Sequence, residues 1–261
     1  MHYSEEIKNM KPFSEILAET QGPTLFFMGQ AGLILKTSSG QTLGIDLYLS
    51  NCCERYVGFK RLMPYLLLPE DHDFDFLITT HAHYDHFDFD AIPALLSPAQ
   101  TRLFAARDCA RPLAELGLSE EKVCYIERGG HYTLGDITLE AVACDHGKTK
   151  PEAVGLVLHL DGKTVYVAGD TAPLPDLARD LSQKTIDVAV LPINGAFGNL
   201  NETQAAEILS ILQPKLAVPC HYWNFGEHGG NPYRFTEEAK RLAPTVATLP
   251  MRPGEALALS N

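Results

Sequence analysis

The stretch Phe76-Leu-Ile-Thr-Thr-His81-Ala-His83-Tyr-Asp85-His86 runs an apolar strand directly into a His-x-His-x-Asp-His cluster. In an extended backbone alternate side chains point the same way, so His81 and His83 can present imidazole nitrogens to one divalent cation. Asp85 and His86 fall where the chain must turn out of the strand, which swings them off the face of the first pair. There the carboxylate and the third imidazole can serve a neighbouring ion, and Asp85 can take a proton from a metal-bound water. Two adjacent metal sites are implied, and with them a hydrolase that uses a hydroxide held at a dinuclear centre.

Working outward, the runs Thr24-Leu-Phe-Phe-Met, Gly32-Leu-Ile-Leu-Lys-Thr and Thr42-Leu-Gly-Ile-Asp-Leu-Tyr-Leu follow a short amphipathic opening and predict an antiparallel meander. Residues 50 to 73 predict a loop with a helical turn over the site. After the strand at 74 to 80 and the cluster, a helix should begin near Asp88 to Asp90, because Pro93 suits only a first turn. A strand at 101 to 106, a helix through Leu113-Ala-Glu-Leu and strands near 123 to 127 and 132 to 144 come next. The second half repeats the order: strands at 154 to 160 and 163 to 168, a helix after Pro173, a strand at 186 to 193, a helix at 202 to 212 and a strand at 216 to 220. A meander followed by αβ units, twice over, predicts an α/β (α+β) fold in which two mixed sheets face one another with helices outside. That is a four-layer αββα sandwich formed by residues 1 to 261 as one domain.

A dinuclear site needs further donors, and strand ends supply candidates. His146 follows the strand that ends at Cys144-Asp145 and could complete the first site, with Asp145 as the alternative donor. Asp170 ends Thr164-Val-Tyr-Val-Ala-Gly-Asp, and its two oxygens could bridge both ions. His221 closes Lys215-Leu-Ala-Val-Pro-Cys-His, at the strand end where ligands gather in open sheets, and would complete the second site. Asp46 is read as the acceptor that orients a ligating imidazole through its other nitrogen. Asn194, Tyr222, Trp223 and Asn224 are candidate substrate contacts, and His228, in a glycine-rich segment, either touches substrate or shapes its loop. His2, His72, His131 and His159 lack such context and read as surface or turn residues.

With these residues in place, the chain resembles the metallo-β-lactamase-fold hydrolases over nearly its full length. The resemblance implies His81, His83, Asp85 and His86 as the signature motif, His146 as the third-motif ligand, Asp170 as the bridge and His221 as the last ligand. Within that superfamily, Phe27-Met-Gly-Gln-Ala-Gly-Leu-Ile-Leu-Lys and Val218-Pro-Cys-His-Tyr-Trp-Asn-Phe are similar to the L-ascorbate-6-phosphate lactonase branch, which implies opening of a phosphorylated sugar lactone. The lactonase is associated with manganese and most of the superfamily with zinc, and a His/Asp donor set suits Zn²⁺ or Mn²⁺. Phosphodiester hydrolysis of a small, non-polymeric diester on the same scaffold is the second reading, and a non-catalytic metal-binding scaffold the third. Relatives with redox di-iron chemistry usually replace the second histidine of the signature with a carboxylate, so His83 argues against that use.

Composition narrows the field. A net charge of −12 opposes binding to nucleic acid and leaves a small-molecule substrate, which can still be anionic, as the expected partner; a homo-oligomer is compatible. No apolar run approaches the ~20 residues needed to span a bilayer, and the first residues show no secretory pattern, so no membrane role and a cytoplasmic location are expected. The six cysteines show no Cys-x-x-Cys pair, which suits reduced thiols. No Gly-x-Ser-x-Gly elbow, phosphate-binding Gly-Lys loop or Rossmann glycine pattern competes with the metal reading.

Overall fold

In the computed structural model, which describes residues 11–260, strands whose central members are buried on both faces build two sheets of seven. The first sheet takes β1 (Thr24–Gly29), β2 (Gly32–Lys36), β3 (Thr42–Ile45), β4 (Phe76–Thr79), β5 (Arg102–Ala106) and β6 (Val123–Ile126) in chain order. β1 to β3 pair antiparallel and β3 to β6 parallel. The second sheet repeats that plan with β7 (His131–Leu134), β8 (Ile137–Ala143), β9 (Val154–Leu160) and β10 (Lys163–Val167) antiparallel, then β11 (Val188–Pro192), β12 (Leu216–Cys220) and β13 (Ala247–Thr248) parallel. The chain finally returns to the first sheet, where β14 (Ala256–Ala258) pairs antiparallel with the outer edge of β1.

The period of two decides which layer each side chain joins. Leu25 and Phe27 of β1, with Leu33 and Leu35 of β2, enter the core between the sheets with Leu139, Leu156, Leu158 and Val165. Phe26 and Ile34 point the other way, toward α1 (Phe13–Glu19), α3 (Ile92–Leu95) and α4 (Ala110–Glu115) through Leu17, Ile92 and Leu113. The second sheet is covered by α5 (Pro175–Leu181), α6 (Glu202–Leu212) and α7 (Pro232–Leu242), which bury Leu181, Leu209 and Phe235. The expected αββα sandwich is thus the observed architecture. Among the described residues no helix is long and apolar enough to cross a membrane.

Three details depart from the sequence reading. β3 stops at Ile45 instead of running to residue 49, because Asp46 adopts φ +46° and turns the chain at the strand's end. The helix α7 and the short strands β13 and β14 were not anticipated. α7 carries its own signal in Asn231-Pro232, since the Asn231 side chain accepts from Tyr233 N and Arg234 N and proline fits a first turn. The predicted helical turn in 50 to 73 is α2 (Cys52–Val57), and the opening before Lys11, including His2, lies outside the described residues.

One buried carboxylate fastens the segment after β3 to the segment after the histidine cluster. Asp88 is fully buried and accepts at Oδ2 from Leu49 N (2.8 Å) and Ser50 N (2.7 Å), and at Oδ1 from Ser50 Oγ (2.5 Å), Asp90 N (3.1 Å) and Ala91 N (3.2 Å). Removing it would strand several buried N–H donors, so Asp88→Ala is expected to destabilise the fold by about 3 kcal/mol, read from the urea midpoint at unchanged slope. A loss below about 0.5 kcal/mol would show that the carboxylate does not fasten these loops.

Candidate metal centre

The titratable groups of the cluster sit past the C-terminal ends of strands, and the Gln30 amide joins them from the turn between β1 and β2, on one edge of the sandwich. Leaving β4, the chain makes a tight turn in which His86 N and Phe87 N both donate to His83 O, at 3.0 and 2.7 Å. The residue between the first two histidines is held at both ends: Ala82 N donates to Asp108 Oδ2 (3.0 Å) and Ala82 O accepts from Lys150 Nζ (2.7 Å). Lys150 and Asp108 also pair with each other at 3.3 Å.

The ring nitrogens and carboxylates converge in overlapping groups. His81, His83, His146 and Asp170 form one; Asp85, His221 and His228 form a second; His86, Asp170 and His221 form a third. His83 Nδ1 lies 2.9 Å from His81 Nε2 and 3.0 Å from His146 Nε2. Asp170 stands between the groups, with Oδ2 3.7 Å from His146 Nε2 and Oδ1 3.2 Å from His221 Nε2 and 3.4 Å from His86 Nε2. None of those contacts at Oδ1 has hydrogen-bond geometry, and among the described residues the buried oxygen has no hydrogen-bond partner. A cavity of about 420 Å³ opens over these groups.

Comparison with known proteins fits this geometry. The family model described as beta-lactamase superfamily domain matches residues 47–222, which span every cluster residue except Gln30, Asp46 and His228. A UPF0173 metal-dependent hydrolase of Saccharolobus solfataricus is 31% identical over 71% of this chain and 81% of its own length. The chain belongs to the β-lactamase superfamily, among the UPF0173 metal-dependent hydrolases. A second such relative, from Myxococcus xanthus, is 29% identical over 93% of this chain and 86% of its own length. The solved structure of a metallo hydrolase from Ignicoccus hospitalis shares the fold with a TM-score of 0.70 at 23% identity, over 90% of this chain and 97% of that one.

This β-lactamase superfamily site orients one imidazole with particular care. Asp46 Oδ2 lies 2.8 Å from His86 Nδ1, and the same carboxylate accepts from Thr80 N (2.8 Å) and Thr80 Oγ1 (2.6 Å), so His86 Nε2 is aimed at the cluster. The sequence reading set Asp46 behind an imidazole of the cluster, and the structure places it against His86. Gln30 was missed: its Nε2 donates to Asp85 Oδ2 (2.8 Å) and lies 3.0 Å from His221 Nε2, while its carbonyl accepts from His221 N (2.7 Å). Gln30, Asp46 and His221 all hold positive φ, at +53°, +46° and +63°, so backbone strain collects where these groups are aimed.

The structure brings together His81, His83, Asp85, His86, His146, Asp170 and His221, and adds His228, whose ring stacks on His221 at 4.8 Å. Between the two third-motif alternatives it is His146 that faces the cluster; Asp145 is exposed and its carboxylate accepts from Gly147 N. Of the five expected substrate contacts only His228 lines the cavity. Tyr222 is turned away because its hydroxyl donates to Met251 O (2.6 Å) and its ring stacks on Phe27, and Trp223 lines a different cavity. Asn194 and Asn224 are buried in loop packing. His72 packs edge-on against Phe74, and His131 and His159 are exposed.

Electrostatics divides the imidazoles. Burial pushes His81 well below its ordinary value, His83 down to about 4, His146 down and His228 down to about 4. Burial opposes the charge on His86 and His221 as well, but the Asp170 carboxylate, aided by Asp85 and, at His86, by Asp46, overrides it. His86 is raised well above its ordinary value and His221 to about 9. Burial would raise Asp85 and Asp170, yet His86 and His221 hold both well below the usual carboxylate range.

The sign of the linkage follows. The raised His221 contributes stability below its ordinary value of 6.5 that is lost as pH rises through about 9; the depressed His83 makes the ion-free fold lose stability as pH falls from 6.5 toward 4. Because His86 and His221 hold protons at neutral pH, loading ion-free protein with Zn²⁺ at pH 7 is expected to release about two protons. Calorimetry in buffers of different ionisation enthalpy reads that number, and affinity should climb between pH 7 and about 9. Absence of any proton release would contradict this charge assignment.

Proposed function

We propose that the protein is a hydrolase that holds two divalent ions, Zn²⁺ or Mn²⁺, and splits a lactone or related ester with water. The observation that carries the reading is the pair of His/Asp groups meeting at Asp170 on the floor of one cavity. The donor set fits such ions: His81, His83 and His146 are held toward the neutral form and can donate lone pairs, and among the described residues Asp170 Oδ1 is buried without a hydrogen bond. His81, His83 and His146 would hold one ion and Asp85, His86 and His221 the other, with Asp170 reaching both. When bound, such ions supply Lewis acidity and lower the pKa of water toward ~7.

The chain's own groups do the rest. Asp85 lines the cavity as an anion, and Gln30 Nε2 at 2.8 Å and His221 Nε2 at 3.2 Å fix its Oδ2. It aligns the attacking water and takes its proton. The water oxygen bonds to the acyl carbon, the ring C–O bond breaks, and the proton passes to the leaving alkoxide. The similarity of Phe27–Lys36 and Val218–Phe225 to the lactonase branch supports a lactone as the electrophile. All six thiols are free, in keeping with work in a reducing cytoplasm.

Protein loaded with Zn²⁺ or Mn²⁺ is expected to open members of a lactone panel that includes a phosphorylated sugar lactone, and to lose turnover with a chelator. Asp85→Asn should lower kcat by about 100-fold or more while metal content, measured by elemental analysis, stays within reach of the parent. Turnover at the parent rate in that variant would remove Asp85 from the mechanism, and no turnover on any hydrolysable panel by fully loaded protein would favour a scaffold.

A further inference from the structure

Above the cluster the cavity walls are mostly apolar and include Val57, Phe59, Tyr84, Phe197 and Phe225, with Thr149 as an uncharged polar member. The aromatic rings make a continuous surface. Phe59 lies 5.9 Å from Phe197 and 6.0 Å from Phe225, and His228, at the cluster, lies 5.4 Å from Phe197 and 5.1 Å from Phe225. Phe197 is 61% exposed and adopts φ +55°, in the left-handed region that a bulky side chain rarely occupies. Strained backbone therefore presents an aromatic ring that is largely exposed beyond its contacts with Phe59 and His228, and Val57 is exposed as well.

Charge is distributed in the opposite sense. Among the described residues no lysine or arginine lines this cavity. Neighbouring cations are engaged elsewhere: Arg61 donates to Tyr48 O and Ser50 O and lies over the Tyr48 ring, and Lys150 is held by Ala82 O and Asp108.

We propose that this site takes uncharged substrates that carry an aryl or branched-alkyl group beside the reacting bond, an inference that rests on the hydrolase reading above. A phosphate laid against Phe59, Phe197 and Phe225 would lose hydration without gaining a cation, and the faces of aromatic rings carry the negative part of their quadrupole. An aryl group in the same place removes its own apolar surface, and that of Phe197 and Val57, from water. The phosphorylated sugar lactone suggested by resemblance therefore suits the floor of the cavity and not its walls. For an ester or lactone the net change is addition of one water: a new bond joins its oxygen to the acyl carbon, the acyl C–O bond breaks, and an ester gives a carboxylic acid and an alcohol while a lactone gives a single hydroxy acid.

Three hydroxamates test the walls without requiring turnover: acetohydroxamate, its 4-phenylbutanoyl analogue, and an analogue in which a phosphonate replaces the phenyl ring. Calorimetry on Zn²⁺-loaded protein should show the phenyl compound binding about tenfold or more tightly than acetohydroxamate, with no gain for the phosphonate. The phenyl-to-methyl affinity ratio should fall several-fold in Phe197→Ala, an exposed position where folding is not at stake. Val57→Lys should turn the preference toward the phosphonate. Preference of the parent protein for the phosphonate, equal affinity for phenyl and methyl, or failure of all three to bind the loaded protein would overturn the inference. Lactone turnover, measured in parallel, separates the two claims: hydroxamate discrimination without lactone opening removes the lactone reading alone, and lactone opening without aromatic discrimination removes this inference alone.

Discussion

Asp170 is 4% exposed, and its two oxygens face the imidazoles of His86, His146 and His221. A carboxylate taken out of water at such a depth costs several kcal/mol unless positive charge comes with it. Without ions that charge is supplied by His86 and His221, which hold their protons against burial for the same reason that Asp85 and Asp170 lose theirs. The remaining imidazoles are left neutral, so the same carboxylate leaves one face of the cluster protonated and the other ready to donate lone pairs. This asymmetry follows from where the carboxylates lie relative to each ring, since all these histidines are partly or wholly buried.

Keeping so many polar groups at one edge requires a scaffold that does not yield. Both sheets direct parallel strands toward that edge, and each ligand candidate follows a strand whose register is fixed by neighbours on both sides. The sheets are also linked near the cluster, where Val154 N donates to Thr80 O (3.2 Å) and His221 N to Gln30 O (2.7 Å). These bonds explain how left-handed backbone at Gln30, Asp46 and His221 persists: surrounding strands over-determine it. The Lys150–Ala82–Asp108 clamp serves the same end by fixing the two peptides that flank Ala82, the residue between His81 and His83.

Local chemistry made much of this legible in the sequence. The histidine signature follows an apolar strand, Asp170 and His221 end strands of their own, and the doubled order of meander and αβ units implies two sheets. Asp46 could be assigned because an acid at a strand end has few other partners than a ring aimed past it. Gln30 was illegible because an amide in a Gly-Gln-Ala-Gly turn looks like turn chemistry. Its meaning comes from Asp85 and His221, which lie 55 and 191 positions away in sequence. Strand β14 was missed for a related reason: three residues of Ala-Leu-Ala have no pattern until β1 offers them an edge. Tyr222 and Trp223 were drawn toward substrate by adjacency to His221, but His221 has φ +63° and Trp223 φ +60°, and each such kink redirects the next side chain.

The acidic chain and the apolar cavity bear on the same question from opposite sides. A net charge of −12 places a repulsive field around the molecule for any anion approaching from solvent, screened over about 8 Å at physiological salt. Among the described residues no lysine or arginine lines the cavity to reverse that field, and the charges on its floor are those of Asp85, Asp170 and His221. Any positive potential there must come from what the imidazoles and carboxylates hold, and it is confined to the floor, where the reacting bond would lie. The walls above that floor are the rings of Phe59, Phe197 and Phe225. Polar recognition is therefore concentrated at the reacting atoms, and binding energy for the rest of the molecule has to come from area removed from water. This division also explains a strained, exposed phenylalanine in a loop that could have ended in a small residue. The apolar surface that Phe197 leaves open has value only when something apolar covers it.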